Sequence, residues 1–191
     1  MDKDNELIEG FKNGDTGALG LLIEKYKGPL YNYILSLVKD GGAADDIFQE
    51  VFLKIVARPD VYKNTGSFKA WLFTVGRNMC MDYFRAAGNH VSLDEELDED
   101  FTLHDVLSSG ERGPLETLLN SEDGRYIDGA LAILPAEQRE VIVLRQTMSF
   151  KEIAATLGCP IGTVLARASR GYKKMQEHLI KEGMTEAAYA G

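Results

Sequence analysis

The sequence S-F-K-E-I-A-A-T-L-G-C-P-I-G-T-V-L-A-R-A-S-R-G-Y-K-K-M, residues 149–175, carries the strongest structural signal in the chain. Ser149 and Glu152 have the spacing of a capping box, which predicts that a helix begins there. Gly158-Cys159-Pro160 predicts its end, because proline has no N–H to donate and disfavours helix at the residue before it. A second helix is expected next, with apolar side chains at three- and four-residue steps: Ile161, Val164, Ala168, Tyr172 and Met175.

The other face of this second helix is polar or basic. It carries Thr163, Arg167, Arg170, Lys173 and Lys174. Two short helices joined by a tight turn, with the second one basic on its outer side, are typical of a helix-turn-helix that enters the major groove of DNA. The alternative is a helical hairpin whose basic face is only solvated. We favour DNA binding, because the cap, the turn and the placement of charge agree.

The composition is that of an ordinary globular protein, with 191 residues, 45% of them hydrophobic and 27% charged. No apolar run approaches the ~18 residues that a membrane span needs, and the amino terminus is too polar for a secretory signal. We therefore expect a cytoplasmic protein without membrane insertion. Cys80 and Cys159 lie far apart among apolar residues, which favours core packing over a redox switch or a zinc site. Neither a cofactor nor a metal ion is expected.

The net charge of −9 is unusual for a nucleic-acid binder, but it is distributed unevenly along the chain. Residues 1–91 have 11 basic and 12 acidic side chains, and residues 124–191 have 9 basic and 7 acidic ones. Residues 92–123 have one basic side chain and 11 acidic ones. The middle segment therefore accounts for nearly all the acidity, and the charge near a contact surface matters more for phosphate binding than the net charge.

The pattern predicts an all-α protein of two small helical domains joined by an acidic linker. Residues 1–90 form the first domain, 91–124 the mostly extended linker, 125–182 the helix-turn-helix domain and 183–191 a tail. In the first domain we expect helices over 5–10, 16–26, 30–38, 43–57 and 68–85, with Gly28-Pro29 kinking or restarting the second. Asp40-Gly41-Gly42 is expected to form a turn. In the last helix the predicted inner stripe is Leu72, Val75, Met79 and Tyr83. A short helix over 114–120 is possible within the linker.

Aromatic and basic side chains alternate between residues 63 and 85, where four basic residues and one acidic residue give +3. This combination suits single-stranded nucleic acid, since rings stack on unpaired bases for about 1–3 kcal/mol per base while cations follow the backbone. Aromatic residues at helical spacing also build cores. Core packing and base stacking therefore remain equal alternatives for Trp71 and Phe73.

Two segments in the right order resemble bacterial sigma factors. D-D-I-F-Q-E-V-F-L-K-I (45–55) and F-K-A-W-L-F-T-V-G-R-N-M-C-M-D-Y-F-R (68–85) look like sigma region 2, and L-P-A-E-Q-R-E-V-I-V-L-R (134–145) with F-K-E-I-A-A-T-L-G-C-P-I-G-T-V (150–164) looks like region 4. With nothing substantial between or before them, the chain is similar to the extracytoplasmic-function group. The resemblance implies an initiation factor without catalytic activity that brings core RNA polymerase to specific promoters, in a group associated with stress responses.

The resemblance also implies site residues. The residues implied to dock on the polymerase, through its β and β′ subunits, are Asp45, Asp46, Gln49, Glu50 and Phe52. Those implied to bind the melted −10 element are Tyr62, Lys63, Asn64, Gly66, Trp71, Arg77, Asn78 and Asp82. The −35 duplex is expected to be bound by the second helix of the helix-turn-helix, the recognition helix, through its five polar or basic residues named above. An anti-sigma factor is a further expected partner, and the linker is expected to pass near the RNA exit path.

Two residues depart from the family pattern. Leu165 stands where family members commonly have a polar or basic residue, and Gly171 lies inside the recognition helix, where glycine costs ~1 kcal/mol relative to alanine. These departures leave open a sigma-like decoy that binds regulators without reading DNA. A stand-alone helix-turn-helix regulator is another alternative. An enzyme is the least favoured class, because the sequence has no nucleophile–base pair, phosphate loop or metal cluster.

Overall fold

The computed structural model describes residues 3–63, 66–88 and 124–183, and regular secondary structure in these ranges is entirely helical. The chain divides into two compact units. The proposed linker and tail lie almost wholly outside the described residues, as does the short helix suggested over 114–120. The first unit contains α1 Lys3–Lys12, α2 Thr16–Val38, α3 Gly41–Ala57, a 3₁₀ turn Pro59–Val61 and α4 Phe68–Ala86. The helices that follow in the chain are α5 Gly124–Ala132, α6 Ala136–Arg145, α7 Phe150–Leu157 and α8 Ile161–Lys181; they belong to the second unit except for residues 155–157 of α7.

Short polar side chains cap the beginnings of α2 and α3 in the first unit. The Asp15 carboxylate accepts hydrogen bonds from the backbone N–H groups of Gly17 and Ala18, which places the start of α2 where the sequence predicted it. Asp40 accepts from Ala43 N–H at 2.8 Å. Because this cap precedes Gly41, the expected turn at residues 40–42 is wrong, and α3 begins two residues earlier than predicted.

The helix does not restart at Gly28-Pro29, since α2 continues through Pro29 as one helix of 23 residues. The alternative, a kink at this position, stays a prediction. Proline removes one helical hydrogen bond there. The apolar residues on either side, Tyr26 and Leu30, are both buried in the core. Burial of this common face stabilises the helix across the missing bond, since tertiary packing supplies most helix stability in proteins.

The core of the first unit lies between α2, α3 and α4. In α4, Leu72 and Met79 are buried as predicted, but Val75 is half-buried and Tyr83 is exposed. Tyr83 lies on the inward side of α4 but in its last turns, where it lines an open groove beside α3. Phe73, which the sequence left undecided, is almost fully buried.

The second unit confirms the helix-turn-helix. Ser149 Oγ accepts from Glu152 N–H at 3.3 Å, and the Glu152 carboxylate accepts from Ser149 N–H at 2.8 Å. Gly158 ends α7 with φ +67°, a conformation that glycine adopts without a steric penalty. Pro160 then precedes the first residue of α8.

The predicted division of α8 into two faces fails in its first turn. Ile161 is exposed, because it is the first helical residue and precedes the buried part of the helix. Thr163, expected on the outer face, is only 8% exposed. Burial in this turn continues around the helix through Val164, Leu165 and Ala166, so Thr163 is enclosed with them.

Gly171 permits a close approach between two helices of the second unit. A Cβ atom built on Gly171 would lie 2.5 Å from Cδ1 of Ile142, which is on α6 and fully buried. Cβ contacts this short essentially never occur in proteins. The glycine that looked unfavourable in the sequence therefore allows α8 to pack on α6, and this contact outweighs its poor helix propensity.

We expect Gly171→Ala to lower the free energy of unfolding by about 1–2 kcal/mol, because overpacking at Ile142 exceeds the gain in helix propensity. Urea unfolding followed by circular dichroism measures this change. Gly162→Ala is the matched control in α8, since a Cβ there meets nothing within 4 Å. The control should be neutral or stabilising. Ile142→Val should recover part of the loss, and equal stability of the two alanine variants would contradict the packing argument.

Candidate functional site

The outer surface of α3 displays most of the residues assigned to polymerase docking. Asp45, Asp46, Gln49 and Glu50 are all exposed. Phe52 differs from them, because it is 7% exposed and its ring centroid lies 5.1 Å from that of Phe48. The structure therefore brings four of the five residues together on one accessible surface and places the fifth inside the packing beneath it.

Sequence reasoning missed two apolar residues on the same surface. Leu53 and Val56 are 64% and 52% exposed. They follow Gln49 at steps of four and seven residues, so all three share one side of α3. We define the docking surface as these two residues with the four exposed polar ones. The helical period places Leu53 and Val56 on the same side of α3 as Gln49. The sequence alone does not show that they are exposed, because an apolar residue on a surface looks the same as one in the core.

A groove of about 320 Å³ adjoins the docking surface between α3 and α4. Its polar lining includes Asp46 and Glu50 from α3, with Asp82 from α4. Lys54 also lines it and lies 4.0 Å from Glu50. Three carboxylates and one ammonium group make this wall acidic, so it favours a basic partner surface.

Tyr31 on α2 connects to the beginning of the docking surface. Its ring lies edge-on to Phe48 with centroids 6.0 Å apart. Desolvation, followed by the nearby negative charge of Asp45, raises the pKa of Tyr31 above its usual value. The negative charge of Asp45 is therefore close enough to Tyr31 to disfavour ionisation of the hydroxyl.

Tyr62 is buried, although the resemblance implies a role in reading the −10 element. It is 3% exposed, and its ring centroid lies 5.3 Å from that of Phe68 and 5.2 Å from that of Trp71. Its neighbour Lys63 and the residue Gly66 are exposed, whereas Asn64 lies outside the described residues. Tyr62 is therefore buried, whereas Lys63 and Gly66 are accessible.

Three of the residues assigned to the −10 element follow one stripe of α4. Trp71, Asn78 and Asp82 are separated by seven and four residues, so they project to the same side. Trp71 is half-buried, while the other two are exposed, and Asp82 forms a 2.8 Å ion pair with Arg85. Arg77 is half-buried and projects about 100° around the helix from Asn78. The stripe combines a flat ring with an amide that can both donate and accept.

The recognition helix α8 has a second stripe. Thr163, Arg167, Arg170 and Lys174 follow steps of three and four residues, and Lys173 projects beside them. The two arginines are half-buried, and both lysines are exposed. Leu165, the apolar departure from the family pattern, is buried and projects to the opposite side of α8 from Thr163. Its lack of polarity therefore leaves the basic stripe unchanged.

An arginine that sequence reasoning did not single out supports this unit. Arg139 on α6 donates from Nε to the Leu131 carbonyl at 2.9 Å and from Nη2 to the Leu134 carbonyl at 2.6 Å. The first bond satisfies a carbonyl group in the last turn of α5, and the second satisfies one in the connection that follows. Desolvation lowers the pKa of Arg139, opposed by the nearby Glu137 carboxylate. A guanidinium remains charged despite such a shift.

Two further observations limit the chemistry of the described residues. They contain no group of three or more His, Cys, Asp or Glu side chains arranged to hold a metal ion. None of their helices is long and apolar enough to cross a membrane. Cys80 is buried, as expected for core packing, and Cys159 is half-buried at the turn before α8.

Comparison with protein families matches both units. Residues 22–90 match sigma-70 region 2, and residues 124–175 match sigma-70 region 4. The sigma-E factor of Escherichia coli, of the ECF group, is 30% identical over 171 residues, which cover 87% of this chain and 89% of that protein. The sigma-H factor of Pseudomonas aeruginosa is 27% identical over 188 residues, covering 94% and 95% of the two chains. SigW of Bacillus subtilis, also of the ECF group, is 27% identical over 90% of this chain and 94% of its own.

Two solved structures share the fold. CnrH, in complex with the cytosolic domain of CnrY, superposes with a TM-score of 0.65 at 25% identity, covering 94% of this chain and 99% of CnrH. The sigma factor RpoE from Bartonella quintana, in complex with the anti-sigma factor NepR, gives a TM-score of 0.60 at 26% identity, covering 84% and 96%. Similarity therefore extends over nearly the whole chain and includes both units.

Proposed function

This chain belongs to the extracytoplasmic-function group of the sigma-70 family and is a transcription initiation factor, and we propose how its surfaces divide that task. The observation that carries the function is the presence of regions 2 and 4, in that order, in a chain matched almost end to end by sigma factors. No catalytic step is assigned to the chain itself, since the polymerase performs the chemistry. It is expected to act in the cytoplasm, where bacterial polymerase and promoters are found.

The docking surface of α3 binds core RNA polymerase in this proposal. Four exposed polar side chains surround exposed Leu53 and Val56, the arrangement of apolar centre and polar edge that protein interfaces commonly have. The partner is the β′ coiled coil, with further contacts to β. Phe52 contributes indirectly, because its packing against Phe48 supports the helix beneath this surface.

The stripe on α4 and the accessible ends of the 62–66 segment bind the melted −10 strand. Trp71 offers a ring for stacking, and Asn78 offers an amide that can pair with the edge of a flipped base. Lys63 and Arg77 supply positive charge for phosphates. Asp82 belongs to this stripe and also lines the groove beside α3, and its ion pair keeps Arg85 close to the stripe.

The basic stripe of α8 binds the −35 duplex. Arg167 and Arg170 contact base edges or phosphates, and Lys173 and Lys174 contact the backbone. Thr163, expected from the resemblance to contact the backbone, is buried at the start of the helix, so its contribution is to the packing beneath the stripe. The acidic segment 91–124 joins the two domains and passes through the polymerase near the RNA exit path.

An anti-sigma factor is the proposed regulator. Both structural relatives were solved with a second protein, a cytosolic domain of CnrY in one case and the anti-sigma factor NepR in the other. The docking surface suits such a partner, because an inhibitor that covers it would prevent polymerase binding. A sigma-like decoy gains no support, since the buried Leu165 and the closely packed Gly171 both have structural explanations.

Run-off transcription tests the function as a whole. Core RNA polymerase mixed with the purified chain is expected to produce transcripts with defined starts from a library of promoter fragments randomised at both elements. Core polymerase alone supplies the background. A stable complex without specific transcripts would contradict the initiation function and favour the decoy.

We expect the double variant Asp46→Ala, Gln49→Ala to weaken binding to core polymerase at least tenfold, because two hydrogen-bonding groups are lost from the docking surface. Fluorescence anisotropy of labelled protein titrated with core polymerase measures this affinity. Glu24→Ala with Lys27→Ala is the matched control, since it removes an exposed pair from α2 that is 2.8 Å apart. Circular dichroism should show the same helix content in all three proteins. Equal affinities would remove α3 from the interface.

Arg167→Ala should weaken binding to a selected −35 duplex by about 1–3 kcal/mol if the guanidinium pairs with a guanine edge. The loss should be largest for that duplex and small for unrelated ones. Lys173→Ala provides the contrast, because loss of a phosphate contact weakens all duplexes similarly and reduces the salt dependence. Titrations at several salt concentrations separate the two effects. If Arg167→Ala weakened binding to all duplexes equally, Arg167 would contact the DNA backbone and not a base edge.

A further inference from the structure

Helix α1 contacts both described ends of the 62–66 segment. The Tyr62 hydroxyl lies 2.7 Å from Asn5 Oδ1 and 2.6 Å from the Gly66 carbonyl oxygen, so its single proton is shared between two acceptors. Asn5 Nδ2 donates a longer bond, 3.4 Å, to the same Gly66 carbonyl. Lys12 Nζ donates to the Tyr62 carbonyl at 2.8 Å. Two side chains of α1 thus connect to residues 50 to 61 positions away in sequence.

Ring packing is a second set of contacts at Tyr62. The Tyr62 ring packs against Phe68 and Trp71, and Lys12 Nζ lies 5.8 Å from its centroid. These ring contacts involve Tyr62 but not Gly66. The Asn5 amide and the Tyr62 hydroxyl bring Tyr62 and Gly66 together, which sets the distance between the ends.

A separate set of contacts attaches α1 to the core. Asp4 is 3% exposed, accepts from Lys25 Nζ at 2.5 Å and accepts a hydrogen bond from the Tyr26 hydroxyl. Ile8 is fully buried. Attachment of α1 therefore does not depend on Asn5 or Lys12. Their hydrogen bonds to Tyr62 and Gly66 serve the 62–66 segment instead.

We propose that Asn5 and Lys12 are positioning residues for recognition of the −10 element. Asn5 acts through the hydrogen bonds that join Tyr62 to Gly66, and Lys12 acts through the Tyr62 carbonyl. Together they present Lys63 and the neighbouring Trp71 to the melted strand in one arrangement. This inference rests on the proposed −10 role of the 62–66 segment. It gives α1, which has none of the residues assigned to polymerase or DNA, a part in promoter selectivity.

The test uses holoenzyme reconstituted with full-length Asn5→Ala, Tyr62→Phe, the double variant or Glu6→Ala. Glu6 is the matched control, because it is an exposed α1 residue next to Asn5. Tyr62→Phe keeps the buried ring and removes only the hydroxyl. Transcripts from a library randomised at both promoter elements are sequenced to give base preferences at −10 and −35. Core-binding affinity and thermal unfolding are measured for each protein.

We expect both single variants to reduce the −10 preference at least about fivefold, the ratio that corresponds to one lost hydrogen bond. The −35 preference and the core affinity of both single variants should match those of wild type. The control Glu6→Ala should match wild type in every measurement. The double variant should lose little more than either single one, because both changes break the same closure. Unchanged −10 preference, or a parallel fall in −35 preference and core affinity, would overturn the positioning role. Absence of specific transcripts with wild type would instead overturn the proposed function.

Discussion

A continuous series of aromatic contacts runs through the first unit, and the proposed −10 surface depends on it. From Tyr33 the series passes to Phe73, Tyr26, Phe68, Tyr62 and Trp71, with ring centroids 5.2 to 6.4 Å apart at each step. The rings are tilted or edge-on, as their quadrupoles favour. Buried rings of α2 thereby support Trp71 at the accessible side of α4. The proposed base stacking on Trp71 would require little reorganisation, because the ring is already held from beneath.

The second unit meets a different constraint, the close packing of its recognition helix. Gly171 lets α8 approach Ile142, and the helix then contributes Met175 and Leu179 to a core with Ile127, Ala130 and Leu134. Arg139 meanwhile donates hydrogen bonds to the carbonyl groups of Leu131, in the last turn of α5, and of Leu134 just after it. These contacts hold one side of α8 and leave Lys173 and Lys174 exposed. The position of the basic stripe therefore follows from packing on the other side of the helix.

Local chemistry made part of this structure predictable from the sequence. Helix caps bond to groups only a few positions away in the sequence, so their patterns indicate helix boundaries correctly. This holds for the Ser149–Glu152 capping box, for Asp15 and for Gly158. A restart at Gly28-Pro29 and the cost of Gly171 were misjudged because distant packing overrides the local preference at each position. The four exposed polar residues of α3 could be assigned through the resemblance. Burial of Phe52 and Tyr62 could not, since it depends on Phe48, Phe68 and Asn5 in folded positions that no local pattern encodes.

The central claim is that this chain makes polymerase open a promoter and captures unpaired bases on the surface supported by the aromatic series. Permanganate reactivity of promoter thymines, compared with and without the chain in the presence of core polymerase, tests it most directly. The account predicts reactive thymines in the −10 segment only when the chain is present, with reduced reactivity for Trp71→Ala at equal core occupancy. A duplex that stays unreactive although the chain, core polymerase and promoter form a complex would contradict the account.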